Sequence, residues 1–470
     1  MLKKLFSHTA IYGLGDQLSK VAHFLALPLI TQDLTATDYG ISGIITAYTT
    51  AVSVFAALGL KVVLVNSFFK SPGHYKWLWR QVYGFLVLWN FVYAAILAMI
   101  IYFAVPEEAF HDRWLIVILN VAPLVLFGQT KNLGRTYYQM NQQPRQVAVR
   151  NIVFGISTVL LNVFFISYMK LGYMGWFWTN CIIGILTSLS YFYPVNFILK
   201  ITPIFNFKWR LIRHSLKVSL PTIPHFYSGY LLNSSDRLVM DLLKVSTGDL
   251  GKYNVAYTVS GIMGSLGNAS AMSVGPLLNK MYKAGNDEAA KKLVIILQII
   301  FFVTSFGLCI WMKEVFAFLI RNETLAAMYP LGIIIVMSYN YRPMYFGANA
   351  KLMFAEKTNV LWRVTLVAGI LNVLLNLILI PLFGFEMAAY TTFAALMYMG
   401  YAGFYYKVFK EINSVNYYPA FWIALTVLLT VLAIYFVEYP LYLKLLISVV
   451  MALTGMFFIF KMNRSLKGLD

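Results

Sequence analysis

Long apolar runs dominate this sequence and restrict its fold more than any other feature. Runs of roughly 20 to 25 apolar residues recur along the chain with short polar segments between them. An α-helix of that length spans about 30 Å, the thickness of the hydrocarbon core of a bilayer. Alternating strands of about ten residues are missing from the sequence, which argues against a transmembrane β-barrel. The pattern therefore predicts an all-α, polytopic membrane protein.

Composition supports the same conclusion. The 470 residues are 60% hydrophobic and 12% charged, with a mean hydropathy of +0.70, whereas soluble domains average about 25% charged residues. The net charge of +19 does not indicate a nucleic-acid partner, because the cations lie at the ends of the apolar runs. Cys181 and Cys309 lie inside apolar runs, so neither a disulfide nor a metal site is predicted, and no cofactor is expected.

Hydropathy predicts about fourteen transmembrane helices. The predicted spans are Thr9–Thr31, Tyr39–Phe68, Gln81–Ala104, Trp114–Met140, Val147–Met169, Tyr173–Leu199, Leu216–Leu243, Leu250–Met281, Leu293–Met312, Ala327–Ala348, Asn359–Leu382, Met387–Tyr406, Tyr418–Phe436 and Leu441–Phe460. The first run has no cleavage site after it, so we expect it to stay as a membrane anchor.

Lysine and arginine residues separate between alternate loops. Twenty-three of them belong to one set of loops and termini, and only seven belong to the opposite set. By the positive-inside rule, both termini are cytoplasmic and the number of helices is even. The loops are also short and contain no phosphate-binding loop motif, so we expect ion or substrate gradients, and not ATP, to drive any transport.

The sequence repeats itself at an offset of about 211–213 residues, which is large enough to hold six helices. Thr37–Gly40 corresponds to Gly248–Gly251, and Gln139–Arg150 corresponds to Leu352–Arg363. An offset of six helices preserves orientation, so the halves are predicted to be parallel repeats around a central cavity. The predicted domains are a six-helix lobe (1–199), a cytoplasmic linker (200–215), a second six-helix lobe (216–410) and two additional helices (411–470).

Several short motifs resemble one known family. They are Ile11–Asp16, Pro28–Thr31, Asp38–Gly40, Asn233–Arg237 and Gly251–Tyr253. With them the chain resembles the polysaccharide flippases of the multidrug/oligosaccharidyl-lipid/polysaccharide (MOP) exporter superfamily, the Wzx-type transporters of O-antigen, capsule and exopolysaccharide units. The resemblance covers essentially the whole chain, and its motifs are specific for the family but not for a substrate.

The resemblance implies two lobes around a cationic cavity. It also implies alternating-access transfer of an undecaprenyl-pyrophosphate-linked oligosaccharide from the cytoplasmic to the periplasmic or outer leaflet of a bacterial inner membrane. The expected partners are this glycolipid, the bilayer, a coupling ion such as H⁺ or Na⁺, and the polysaccharide polymerase machinery.

Two other functions are considered: a cation-coupled multidrug antiporter of the same superfamily, and a membrane enzyme such as a polysaccharide polymerase or ligase. Cations inside the spans argue against the antiporter, whose usual drugs are themselves cations. Short outer loops without a catalytic cluster argue against an enzyme.

Ionisable residues within the predicted spans form the candidate site, because each costs at least a few kcal/mol unless it faces a cavity or a partner. The candidate substrate-binding cations are Lys20, Arg237, Arg342, Lys131, Arg135 and Lys61. The candidate residues for ion coupling or ion pairing are Asp16, Asp236, Asp241 and His23.

Uncompensated cations suit a pyrophosphate group, since arginine can hold phosphate oxygens with two parallel hydrogen bonds. Internal ion pairs, such as Asp16 with Lys20, remain the alternative for the acids. Snorkelling of the side chains toward water remains the alternative for Lys61, Lys131 and Arg135.

Overall fold

Helices form the fold throughout the residues that the computed structural model describes, 17–357 and 359–466, and no strand occurs in those ranges. The helices are α1 (17–30), α2 (Ala36–Ser53), α3 (Lys61–Lys70), α4 (Tyr75–Ala104), α5 (Arg113–Phe127), α6 (Thr130–Met140), α7 (Pro144–Asn162), α8 (Met174–Tyr193), α9 (Trp209–Ser219), α10 (Ile223–Asn233), α11 (Ser235–Leu242), α12 (Thr247–Lys283), α13 (Asp287–Ile310), α14 (Met312–Leu319), α15 (Glu323–Ala326), α16 (Tyr329–Ser338), α17 (Arg342–Phe354), α18 (Asn359–Phe383), α19 (Met387–Tyr401), α20 (Lys407–Ile412), α21 (Pro419–Phe436) and α22 (Leu441–Leu466).

In the described residues, each of the fourteen predicted spans coincides with one helix or with consecutive helices, which confirms the all-α, polytopic prediction; residues 9–16 of the first span lie outside the described ranges. Within the described ranges, nine helical segments are both long enough and apolar enough to cross a membrane. The other five predicted spans fall on α1, on α2 with α3, on α9 to α11, on α12 and on α19. Helices are the expected outcome, because lipid offers no hydrogen-bond partner to a bare backbone.

The chain divides into two compact units, an N-terminal unit that ends at Tyr227 and a C-terminal unit that begins at Ser228. One apolar core of the N-terminal unit includes Trp79 on α4, Leu133 on α6 and Ile212 on α9. Since α9 lies in the segment predicted to be a linker, that segment is part of the N-terminal unit. The division falls inside α10, so the assignment of six helices to each lobe stays a prediction.

Backbone and side-chain hydrogen bonds hold the predicted linker against α4. The backbone amide of Lys208 donates to Gln81 Oε1 at 2.7 Å, and Arg80 Nε donates to the carbonyl of Thr202 at 3.0 Å. A Cβ atom at Gly84 would collide with the carbonyl oxygen of Ile204, so only glycine allows this close approach. The segment is therefore a packed connection and not a free loop.

The internal repeat is visible in the way α2 and α12 begin. Thr35 and Asp38 form a capping box at the start of α2, and Ser246 caps α12 through the backbone amide of Asp249. Asp38 Oδ1 also accepts a hydrogen bond from the amide of Tyr173 at 2.9 Å, beside Gly172 at φ +53°. In the C-terminal unit, Lys252 pairs with Asp249 at 2.8 Å and lies over Phe385, next to Gly384 at φ +93°. A similar corner, formed by a capped helix start beside a glycine with positive φ, therefore occurs in both halves of the chain.

The last two helices pack on α13 and are fixed at one end by polar contacts. Lys444 is almost completely buried and pairs with Glu314 at 2.6 Å. Glu438 pairs with Lys313 at 2.5 Å, and Trp311 Nε1 donates to Ser448 at 3.0 Å. These contacts join the helix pair α21–α22 to α14 and to the end of α13.

Candidate functional site

Two neighbouring helices of the N-terminal unit are broken, and side chains satisfy the exposed backbone at the breaks. Between α2 and α3, the carbonyl of Phe55 accepts from Trp89 Nε1 at 2.9 Å, and the carbonyl of Ala56 accepts from Gln129 Nε2 at 3.0 Å. Gln129 itself lies at the break between α5 and α6, which follows Gly128 at φ +36°. One hydrogen bond therefore joins the two breaks, as expected where an irregular backbone is buried in protein.

Three of the predicted site cations stand at these breaks. Lys61 is the first residue of α3, Lys131 is the second residue of α6, and Arg135 follows one turn later on the same face. Helices α3 and α6 pack against each other. The beginning of a helix carries a partial positive charge, which adds to the charge of these side chains.

No acidic residue balances this end of the N-terminal unit. Within the described part of the chain, no hydrogen bond or ion pair is made by the side chains of Lys61, Lys131 and Arg135. The sequence from 113 to 235 contains no aspartate or glutamate. The two breaks therefore form a region of uncompensated positive charge that suits an anion.

The other predicted residues of this unit lie on α1. Lys20 is exposed and His23 is half-buried, while Asp16 lies outside the described residues. A Cβ atom at Gly155 would collide with Ser19, so α1 packs closely against α7.

Arg237 of the C-terminal unit is buried and held against α12. Its Nε donates to Asn254 Oδ1 at 2.8 Å, and its Nη1 donates to the carbonyl of Asn233 at 3.3 Å. The guanidinium carbon lies 4.4 Å from the ring centre of Tyr257, in a cation–π contact. These contacts position the arginine without a salt bridge to any acid among the described residues.

Arg342 lies against the same helix. Its Nη1 donates to Asn268 Oδ1 at 2.8 Å, its guanidinium carbon lies 5.2 Å from the ring centre of Tyr339, and its buried Nε has no hydrogen-bond partner among the described residues. Asn254 and Asn268 are fourteen residues apart on α12, or about 21 Å.

A side-chain hydrogen bond between Tyr257 and Tyr339 connects the surroundings of the two arginines. Arg237 on α11 and Arg342 on α17 thus both contact α12. The structure does not test whether they share a cavity with Lys20.

Asp236 is completely buried, and its neighbours differ from those of Arg237. It accepts hydrogen bonds from the hydroxyls of Tyr253 and Thr392. No salt bridge joins Asp236 to Arg237 in the described ranges, and Asn254 and the Asn233 carbonyl hold the arginine. A role of Asp236 in ion coupling or ion pairing stays a prediction. Asp236 Oδ1 has no hydrogen-bond partner in the part of the chain that the structure describes, and Asp241 is half-buried near the end of α11.

A chain of buried polar residues continues beside Asp236. Thr391, next to Thr392 on α19, donates to Asn376, and Asn376 Nδ2 donates to Asn372 Oδ1 at 3.2 Å. Neither Asn372 nor Asn376 is exposed. These residues were not predicted from the sequence, although two asparagines four positions apart in an apolar span are a visible signal, since such residues share a helix face.

The additional helices form an apolar groove with α13. The cavity has a volume of about 700 Å³ and is lined by side chains of α13, α21 and α22, among them Phe302, Val303, Trp422, Leu446 and Phe458. Thr454 is the one hydroxyl-bearing residue of this lining among the described residues. Apolar side chains line the groove, so it suits a hydrocarbon chain.

Comparison with known proteins identifies the family of the chain. The family model described as polysaccharide biosynthesis protein matches residues 5–282, which is more than half of the sequence. The chain belongs to the polysaccharide biosynthesis protein family. No curated protein matches it.

Solved structures place this family member in the MOP fold. The lipid II flippase MurJ, in an inward closed conformation, is 13% identical over 93% of this chain and 99% of its own, with a TM-score of 0.67. A MOP superfamily transporter from Pyrococcus furiosus is 11% identical over 88% of this chain and 97% of its own, with a TM-score of 0.61. An inward-facing multidrug resistance MATE transporter is 12% identical over 86% and 96%, with a TM-score of 0.57. At these identities the likeness concerns the fold.

Proposed function

We propose that this protein is a flippase that carries an undecaprenyl-pyrophosphate-linked oligosaccharide from the cytoplasmic to the periplasmic or outer leaflet by alternating access. The observation that carries the proposal is a set of cations in both units that form no salt bridge within the described residues: Lys61, Lys131 and Arg135 at the helix breaks, and Arg237 and Arg342 along α12. Membership of the polysaccharide biosynthesis family and the fold shared with the lipid II flippase support it.

A pyrophosphate needs such a set of cations, because it brings at least two negative charges into a region of reduced dielectric. Charges attract there more strongly than in bulk water, and an arginine can bind two phosphate oxygens at once. Release of the cargo requires that no single residue hold it too tightly. Cations distributed over several helices, with Lys20 as a further member, meet both requirements.

The apolar groove of α13, α21 and α22 is the proposed site for the prenyl chain. Polar contacts of Glu438 and Lys444 hold α21 and α22 in place. The side chains that line the groove itself are almost entirely apolar. A groove open to lipid would let the long chain stay in the membrane while the head group crosses.

Asp236 is the proposed site of ion coupling. A buried carboxylate with one oxygen that lacks a hydrogen bond can take up H⁺ or bind Na⁺, and the neighbouring hydroxyls and asparagine side chains supply further oxygens. Asp241, His23 and Asp16 remain weaker candidates.

The orientation proposed from the loop charges places both termini in the cytoplasm of a bacterial cell with this protein in its inner membrane. An alkaline phosphatase fused after α22 should be inactive, and the same enzyme fused between α21 and α22 should be active. Activity of the C-terminal fusion would contradict the orientation.

Deletion of the gene provides the test of function. Cells without the protein should lose surface polysaccharide and accumulate the lipid-linked oligosaccharide on the cytoplasmic side of the membrane, and the intact gene should restore export. If polysaccharide export persisted without the protein and without a second flippase, the proposal would fail.

The second candidate is a cation-coupled multidrug antiporter, which the buried Asp236 and the fold shared with MATE transporters support. The same deletion strain separates the two functions. If the protein is an antiporter, the deletion strain should be more sensitive to cationic drugs and should export polysaccharide normally. If it is a flippase, drug sensitivity should be unchanged and polysaccharide export should be lost.

A further inference from the structure

A groove on the N-terminal unit lies apart from the helix breaks described above. Its volume is about 540 Å³, and its lining consists of side chains from the first turns of α7, together with one residue of α8: Arg145, Gln146, Val149, Arg150, Val153, Phe154 and Ser190. Because α7 begins at Pro144 and opens an apolar span, the groove lies at one end of a membrane-spanning segment, where head groups meet hydrocarbon.

Contacts within α7 and to α8 fix Arg150 in this groove. Its Nη1 donates to the carbonyl of Gln146 at 2.6 Å, its Nη2 donates to the carbonyl of Ser190 at 3.2 Å, and its guanidinium carbon lies 4.6 Å from the ring centre of Tyr191. Its Nε is buried and has no hydrogen-bond partner in the described ranges. The positive charge is therefore held in place without an anion.

Arg145 adds a second positive charge at the rim. It is exposed, and within the described ranges its side chain has no hydrogen-bond or ion-pair partner. The sequence from 113 to 235 has no acid that could neutralise either arginine locally. Two cations that lack acidic partners therefore face one groove.

Below the arginines the groove is apolar. Val149 and Val153 are 56% and 52% exposed, and they lie one turn apart on the surface of α7. A small soluble anion would use the arginines but would gain nothing from these valines. A lipid would use both the arginines and the valines, because its phosphate would reach the arginines while its acyl chains extend along the valines.

We propose that this groove binds an anionic phospholipid of the surrounding leaflet, with its phosphate on Arg145 and Arg150 and an acyl chain along Val149 and Val153. The inference does not depend on which cargo the protein carries. It assigns a bound lipid to a surface separate from the helix breaks and from the groove of α21 and α22.

Native mass spectrometry of the purified full-length protein with added phosphatidylglycerol or phosphatidylcholine tests the proposal. Arg145→Gln should weaken phosphatidylglycerol binding about tenfold, as expected for loss of one hydrogen-bonded charge, and should leave phosphatidylcholine binding unchanged. Arg145 is the informative position, because its side chain contributes no hydrogen bond to the fold. Arg150→Gln should have the same effect if the variant keeps its thermal stability.

The internal repeat supplies a matched control. Arg363 occupies the position of Arg150 in the second repeat and also lies near the start of a long apolar helix. It is exposed, and it contacts only the ring of Trp362, at 5.7 Å, without a hydrogen bond among the described residues. Arg363→Gln should bind phosphatidylglycerol like the wild type.

Equal phosphatidylglycerol binding by the wild type and Arg145→Gln would overturn the proposal. So would displacement of the lipid by millimolar inorganic phosphate, which would indicate a simple anion site. Competition by the lipid-linked oligosaccharide at equal or higher affinity would also overturn it, because the groove would then belong to the transport path.

Discussion

Arg342 occupies the space that a side chain at Gly267 would fill. A Cβ atom at Gly267 would collide with Cδ and Nη1 of this arginine, whose Nη1 donates to the next residue of α12, Asn268. The glycine therefore allows the arginine to lie flat on the helix, and the two positions act as a pair.

Gly267→Ala should displace Arg342 from Asn268 and reduce polysaccharide export. The added methyl group should also cost about 1–3 kcal/mol of unfolding free energy if the arginine cannot move away. Gly261→Ala on the same helix is the control, because no atom lies within 4 Å of a Cβ atom at that position. Export and thermal unfolding of both variants check the prediction, and equal behaviour of the two would contradict it.

Charge reversal at the helix breaks should inhibit transport more than charge reversal elsewhere on the same helices. Lys131→Glu or Arg135→Glu should reduce export by at least about tenfold, since a hydrogen bond to a charged group contributes about 1.5–3 kcal/mol. Lys70→Glu, at the opposite end of α3 and also exposed, should have little effect. Normal export by the Lys131 and Arg135 variants at wild-type abundance would argue against an anion site at the breaks.

Asp236→Asn should uncouple transport without preventing membrane insertion, because asparagine keeps the size of the side chain and can still accept hydrogen bonds from Tyr253 and Thr392. Transport by the wild type should depend on pH or on Na⁺, and transport by the variant should depend on neither. Thr391→Val is a useful companion, since it removes the hydrogen bond to Asn376 but keeps Asp236 intact. An unchanged ion dependence in Asp236→Asn would exclude this carboxylate as the coupling group.

Acid should weaken the attachment of α22 through Glu438. Hydrogen bonds from Lys313 and then from Tyr329 lower the pKa of this carboxyl. Its contribution to stability is therefore fully present above the unfolded pKa of about 4.3 and is lost as the pH falls through the lower pKa of the folded state. The difference in Tm between wild type and Glu438→Gln should be constant above about pH 5 and should shrink below about pH 4. Glu411→Gln is the control, because an exposed ion pair such as that of Glu411 with Lys407, at 3.9 Å, contributes little to stability. A difference that grew on acidification would contradict the assignment.

Hydropathy predicted the membrane fold well, because the length of the apolar runs follows from the bilayer itself, whereas the orientation that charge placement indicates stays a prediction. Within the described residues each predicted span coincides with helix, and the repeated corner at Asp38 and Asp249 agrees with the predicted internal repeat. The helix breaks after Ser53 and Phe127 were not predicted. Both depend on side chains far away in sequence, such as Gln129 and Trp89, that satisfy the broken backbone.

The sequence predicted which ionisable residues belong to the candidate site, but it did not predict their hydrogen-bond partners. Arg237 and Arg342 were identified because cations are costly in a membrane, and in the structure both donate hydrogen bonds to asparagines of α12. Their partners, Asn254 and Asn268, are neutral and common at helix surfaces, so their role depends on tertiary packing. Asp236 was predicted as a residue for ion coupling or ion pairing, but its hydrogen-bond partner could not be predicted, because Tyr253 reaches the carboxylate from another helix.

Flipping by the purified protein tests the central claim most directly. Proteoliposomes would contain a fluorescent undecaprenyl-pyrophosphate-linked oligosaccharide, and a membrane-impermeant quencher would report how much of it has crossed the bilayer. The wild type should move the lipid, and Lys20→Glu, Arg237→Glu and Arg342→Glu should each abolish movement while remaining folded. If all three variants inserted normally and moved the lipid at the wild-type rate, the cations would not bind the pyrophosphate and the proposed mechanism would be wrong.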